Sequence, residues 1–157
     1  MSKRITKIKY KSPTVEIHTE EYLITSVKES VFKCTEEPHP DLKAAFAALV
    51  SHVYEILQLP SDAWPSLMTI TGVSFSKHEE TKIEGAVISG RVDIETCQAP
   101  FCFNTPHLPF EPYSEASEAQ TMDADAIEAL EKLREEAQAY MDGTKRAQME
   151  LAGVGQQ

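Results

Sequence analysis

Glycine is scarce in this chain: there are six, scattered, and no run of them could cradle a phosphate. That argues against the nucleotide sites built on closely spaced glycines. Cysteine is scarcer still. Cys34, Cys97 and Cys102 are an odd number and too few for a disulfide scaffold, which leads us to expect a reducing, cytoplasmic setting. No apolar run approaches the roughly 18 residues that a membrane helix needs. The opening MSKRITKIKY alternates where a secretory signal would be continuously apolar, so no membrane partner is expected.

Positive charge is thin beyond the first 33 residues. Residues 1–33 carry seven Lys/Arg against four Asp/Glu, whereas residues 111–142 carry two against ten, within a net charge of −10. An acidic C-terminal third repels phosphate at long range and argues against general affinity for nucleic acid. What remains is a solubilising surface, a basic patch on the N-terminal strands, or an acidic face that meets a basic partner. The 157 residues, 41% hydrophobic and 25% charged, suit one globular domain with its own core.

The hydrophobic pattern predicts an α+β domain over residues 1–143, with a flexible tail over 144–157. Ile5, Ile8 and Tyr10 alternate only roughly. Val15 and Ile17 follow a Ser12-Pro13 turn, and YLITSVKESVF (22–32) is rich in β-branched and aromatic residues. These predict a three-stranded antiparallel meander. Leu42, Phe46, Leu49, Val53, Ile56 and Leu57 recur at the helical period, with Pro40 in the first turn and Pro60 at the stop. Two long strands should follow, joined by a hairpin loop at residues 78–81. The first changes phase at Gly72, where a bulge is expected; in the second, Ala86, Ile88, Val92 and Ile94 keep one phase. A last helix starts near Thr121 or Asp123 and buries Ile127, Leu130, Leu133, Ala137, Tyr140 and Met141. It turns Glu128, Glu131, Lys132, Glu135 and Glu136 outward, and Gly143 caps it. The predicted order is β-β-β-α-β-β-α, about five strands with two helices on the sheet.

Between the last strand and the last helix lies FCFNTPHLPFEPYSE (101–115), unusually aromatic and proline-rich for a loop. Its prolines restrict the backbone. Asn104, Thr105 and His107 offer directional hydrogen bonds, and Phe110 and Tyr113 offer apolar surface, so these five residues form a candidate binding site. The same composition suits a strap that closes the end of the sheet. Both readings stand at this point.

Few residue sets suggest catalysis. Cys97, Cys102 and His107 are spaced C-x4-C-x4-H, permissive but not specific for zinc, and Cys34 and His39 repeat the step. Buried apolar cysteines are the alternative, and no metal or other cofactor is favoured. No signature supports a cysteine nucleophile. The carboxylate pairs Glu79-Glu80 and Glu135-Glu136 fall in a loop and on an outward helical face, too solvated for acid–base work. His52 reads as a boundary residue and His78 as solvated. In the tail, Gln148, Met149 and Leu151 match in kind the glutamine-led peptide that docks on bacterial sliding clamps, although Ala152 stands where a large apolar residue should be.

SFSKHEETKIEGAVISGRVDI, FNTPHLPFEPYSE and AIEALEKLREEAQAYMDGTKRAQ together resemble a group of small proteins encoded by phages and prophages, over residues 65–148. The resemblance implies a phage-related setting and transfers no catalytic residues. The expected function is therefore non-enzymatic: binding a host or phage protein, as an accessory to DNA metabolism or an inhibitor of a host or defence factor. The alternative is a small-molecule binder, for example of a nucleotide, with its pocket under residues 101–113; a zinc protein or cysteine enzyme is the third class.

Overall fold

The computed structural model describes residues 3–60, 68–114 and 120–145. Strands β1 (Lys3–Lys11), β2 (Thr14–Tyr22) and β3 (Val27–Cys34) form the expected antiparallel meander. The rough alternation of β1 has a physical cause. Its register against β2 slips by one residue between Ile5 and Lys7, so Ile5 and Ile8, three apart, both reach the core.

Helices α1 (Pro40–Ala47) and α2 (Leu49–Leu57) replace the single expected helix, with a one-residue interruption at Ala48. The His39 imidazole caps α1 by accepting from the Asp41 N–H, Pro40 takes the first turn, and α2 ends on Gln58 in the left-handed conformation. Leu42, Phe46, Leu49 and Val53 are buried as the period predicts, and Tyr54 joins them.

Strands β4 (Met68–Lys77) and β5 (Glu84–Val92) pair antiparallel along their length. The predicted irregularity falls between Ile70 and Gly72, and it brings Met68, Ile70, Val73 and Phe75 to one buried face. Two further strands, β6 (Phe101–Asn104) and β7 (Leu108–Pro109), lie end to end on the outer edge of β5. The sheet order is β3-β2-β1-β4-β5-β6, with β7 also on β5. The expected α+β class with an antiparallel sheet is found. The strand count of five is too low, because the segment expected as irregular is itself sheet. Among the described residues, β1 and β4 alone join the two halves of the sheet, through Lys7–Ser74, Ile8–Val73 and Lys9–Gly72.

Helix α3 (Ala124–Met141) starts from Asp123, whose side chain accepts from the Asp125 N–H. It ends with Gly143 at φ 79° and two bonds that satisfy its last carbonyls, Gly143 N–H to Tyr140 and Thr144 N–H to Ala139. All three helices cover one face of the sheet and enclose the core with Ile8, Ile17, Val73 and Ile88. Among the described residues no helix covers the opposite face. One outward assignment is corrected: Glu136 is 4% exposed, held by Lys132 and by Lys145 beyond the helix end. Burial pushes its carboxyl up, but those two ammonium groups bring it below the ordinary value. Lys145 also reaches Asp41 at the start of α1. Among the described residues no helix is long and apolar enough to cross a membrane.

Candidate functional site

The aromatic segment works as an edge strand. Pro106 has no N–H, so the ladder on β5 cannot run through it, and the Thr105 side chain bridges the gap. The Thr105 N–H donates to the Ile88 carbonyl and the Thr105 hydroxyl accepts from the Ile88 N–H, each at 2.9 Å, in a buried setting. Asn104 bonds Ser89 across the pair. His107 and Phe103 lie over two glycines: a β-carbon on Gly85 would come within 2.5 Å of the His107 ring, and one on Gly90 within 2.7 Å of Phe103. An aromatic ring laid across a strand glycine covers backbone that the missing side chain would expose. Phe110 donates its N–H to the Glu84 backbone carbonyl and packs on the core, and Tyr113 stacks on His78 with ring centroids 4.3 Å apart. The five residues singled out in the sequence thus lie along one strap, each with a structural contact there.

Cys97 and Cys102 are exposed, and His107 lies over Gly85. Among the described residues the one group of three with ligand atoms within 4.8 Å of each other is His52, Glu55 and Asp123. His52 and Glu55 share a face of α2, and Asp123 is the cap of α3. They line a cleft of about 440 Å³ whose far wall includes Pro106 and Leu108 of the strap. The buried His52 Nδ1 has no hydrogen-bond partner. One imidazole and two carboxylates are a donor set for a borderline divalent cation. Sequence inspection had His52 as a boundary residue; the i, i+3 spacing to Glu55 was visible, but Asp123 is far along the chain.

The larger concavity is on the open face of the sheet, a groove of about 780 Å³ lined by Arg4, His18, Glu20, Tyr22, Phe75 and Lys77 among others. Its base is tied to the core by a charge network. Arg134 on α3 grips Glu84 through its two terminal guanidinium nitrogens, Nη1 and Nη2, at 2.7 and 2.5 Å, and Nη2 also donates to the Ile5 carbonyl. Arg4 bonds the same Glu84 and reaches Glu20 at 3.1 Å. The Arg134 guanidinium carbon sits 3.7 Å from the centroid of the Phe75 ring. Burial raises the Glu84 pKa, and the two arginines more than reverse it, so it lies below the ordinary carboxylate value. No local motif announces this network, because Arg4, Glu84 and Arg134 come from β1, β5 and α3.

The β2–β3 hairpin stands beside the groove. Among the described residues five large apolar side chains are exposed, and four of them, Leu23, Ile24, Val27 and Val31, belong to this hairpin. Ile24, at its tip, is 101% exposed. Val27 and Val31 share the open face of β3, paired with Tyr22 and His18 of β2. Gln148, Met149 and Leu151 of the clamp-like peptide lie outside the described residues. Comparison of the chain with protein-family models, with curated proteins and with solved structures finds no match.

Proposed function

We propose that this chain is a non-catalytic, phage-type binding protein that engages a host or phage protein through the tip of its β2–β3 hairpin. The observation that carries the reading is the concentration of exposed apolar side chains there, with Ile24 fully in solvent and Leu23 and Val27 beside it. Isolated exposed apolar residues are ordinary, whereas a contiguous group next to a groove marks a docking surface. The groove adds charges of both signs, Arg4 and Lys77 against Glu20, Glu29 and Glu79, which suits the mixed polar rim of a protein interface. The phage setting is supported by the sequence resemblance alone.

The test is capture of partners on the tagged protein from host lysate, with and without phage infection, read by mass spectrometry. Near-stoichiometric enrichment of one protein is expected, and its loss in the folded double variant Leu23→Asp, Ile24→Asp. Equal capture by that variant would remove the hairpin from the reading. Small-molecule binding is the second reading, favoured by a groove volume in the range of ligand pockets. It ranks lower for a nucleotide, because Arg4 is already engaged by Glu20 and Glu84 while two further carboxylates, Glu29 and Glu79, line the groove where phosphates would sit. A rise in melting temperature with added nucleotide would reverse the ranking.

A further inference from the structure

The outer edge of β3 points to a specific occupant. Among the described residues no strand pairs with that edge, and β3 is exposed from Val27 to Val31. A free edge offers a row of backbone donors and acceptors, and natural proteins usually blunt it with a break, a proline or charge. β3 has eight residues with neither bulge nor proline; it does carry charge, Lys28 on the helix side and Glu29 and Lys33 on the open face, which reads Val27, Glu29, Val31, Lys33.

That order is self-complementary. Two copies of β3 laid antiparallel about a two-fold axis through Val31 place Val31 against Val31. They also place Glu29 of each copy opposite Lys33 of the other. Sliding the strands by two residues, the smallest step that keeps each face together, sets Glu29 or Lys33 against Val31 and loses both charge pairs. One register alone therefore pairs apolar with apolar and opposite charge with opposite charge, twice by symmetry. On the helix side the same register lays the half-buried Phe32 beside Ser30 of the second copy. Lys33 is 65% exposed with a 3.4 Å contact to Glu16, so it can turn to a partner strand at small cost.

We propose that the chain forms a two-fold dimer through β3, joining two sheets into one. All helices would lie on one face of the joined sheet and both open-face grooves on the other. Ile24 lies outside the paired stretch, so the tip stays free for the partner proposed above. The dimer does not depend on that reading.

Sedimentation velocity over a range of concentrations tests it, on the full chain. A dimer is expected for the wild type. Glu29→Lys and Lys33→Glu should each weaken it by tenfold or more, since each sets like charges opposite one another on both sides of the axis. The double variant Glu29→Lys, Lys33→Glu should dimerise again, and an equimolar mixture of the two single variants should form the heterodimer. Circular dichroism melts check that every variant is folded, and Glu29→Lys has the further merit of disturbing no ion pair among the described residues. A monomeric wild type, or a dimer indifferent to both single changes, would overturn the proposal. Failure of the double variant to recover would overturn the register. Partner capture by a monomeric single variant keeps this outcome separate from that of the hairpin tip.

Discussion

The two edges of this sheet are built in opposite ways. On one side, β6 and β7 are short, broken at Pro106, ended by Pro109 and followed by Pro112, with His107 and Phe103 laid over Gly85 and Gly90. On the other, β3 is unbroken, carries no proline and leaves Val27 and Val31 in solvent. The first edge is closed to further strands by its own chain chemistry, because prolines cannot donate and a two-residue strand offers little to copy. The second stays competent to pair. A sheet with one edge blocked can extend in one direction only, which favours a closed pair of copies over an open fibre.

The contrast can be attacked from either side. Gly85→Ala should be the most damaging change, because the new methyl group would meet the His107 ring and the Leu108 carbonyl at 2.5–2.6 Å. We expect a loss of about 3 kcal/mol in urea unfolding. A near-neutral result would mean that the strap is not anchored there. Glu84→Gln comes next, at about 2 kcal/mol near neutral pH, since it leaves two arginines without their shared carboxylate. The pH dependence has a definite sign. The folded pKa of Glu84 lies below its ordinary value of 4.5, so its contribution is full above that value and fades as pH falls through the lower folded one. The gap between wild type and variant should therefore narrow on acidification below about pH 4.5; a gap independent of pH would show that the ion pairs contribute little. The smallest effect is expected for Val27→Lys on the open edge, within about 0.5 kcal/mol. A loss as large as that of Gly85→Ala would mean that this end of β3 is packed within its own chain and the two edges are alike.

Much of the frame was legible because its periods are long. The helical stripe from Leu42 to Leu57, the alternation in β2 and the phase change at Gly72 each span enough residues to be read without a partner. The strap was not, for a physical reason. β6 has four residues and β7 two, too few to show a period of two, and between them Thr105 holds to β5 through its hydroxyl as well as its backbone N–H. Phe110 and Tyr113 drew attention as aromatics, but composition cannot separate a ring that covers β5 from one that awaits a ligand. Glu136 was misassigned because Lys145, which holds it, lies beyond the end of the helix. The His52, Glu55 and Asp123 cluster and the Arg4, Glu84 and Arg134 network were out of reach, as each joins elements distant in sequence. The hairpin tip was visible as YLITSV, yet exposure is a property of the fold, and an apolar run in a strand is more often core.

The short seam between β1 and β4 has a consequence for how the chain acquires its shape. β1–β3 and β4–β7 are each meanders whose strands pair with near neighbours in sequence, so either can assemble with little loop-closure cost. Among the described residues, Lys7–Ser74, Ile8–Val73 and Lys9–Gly72 alone stitch the two together in the sheet, across the intervening helices. Folding should therefore run as two local events followed by one docking, with Ile8 and Val73 as the buried pair at which the halves meet.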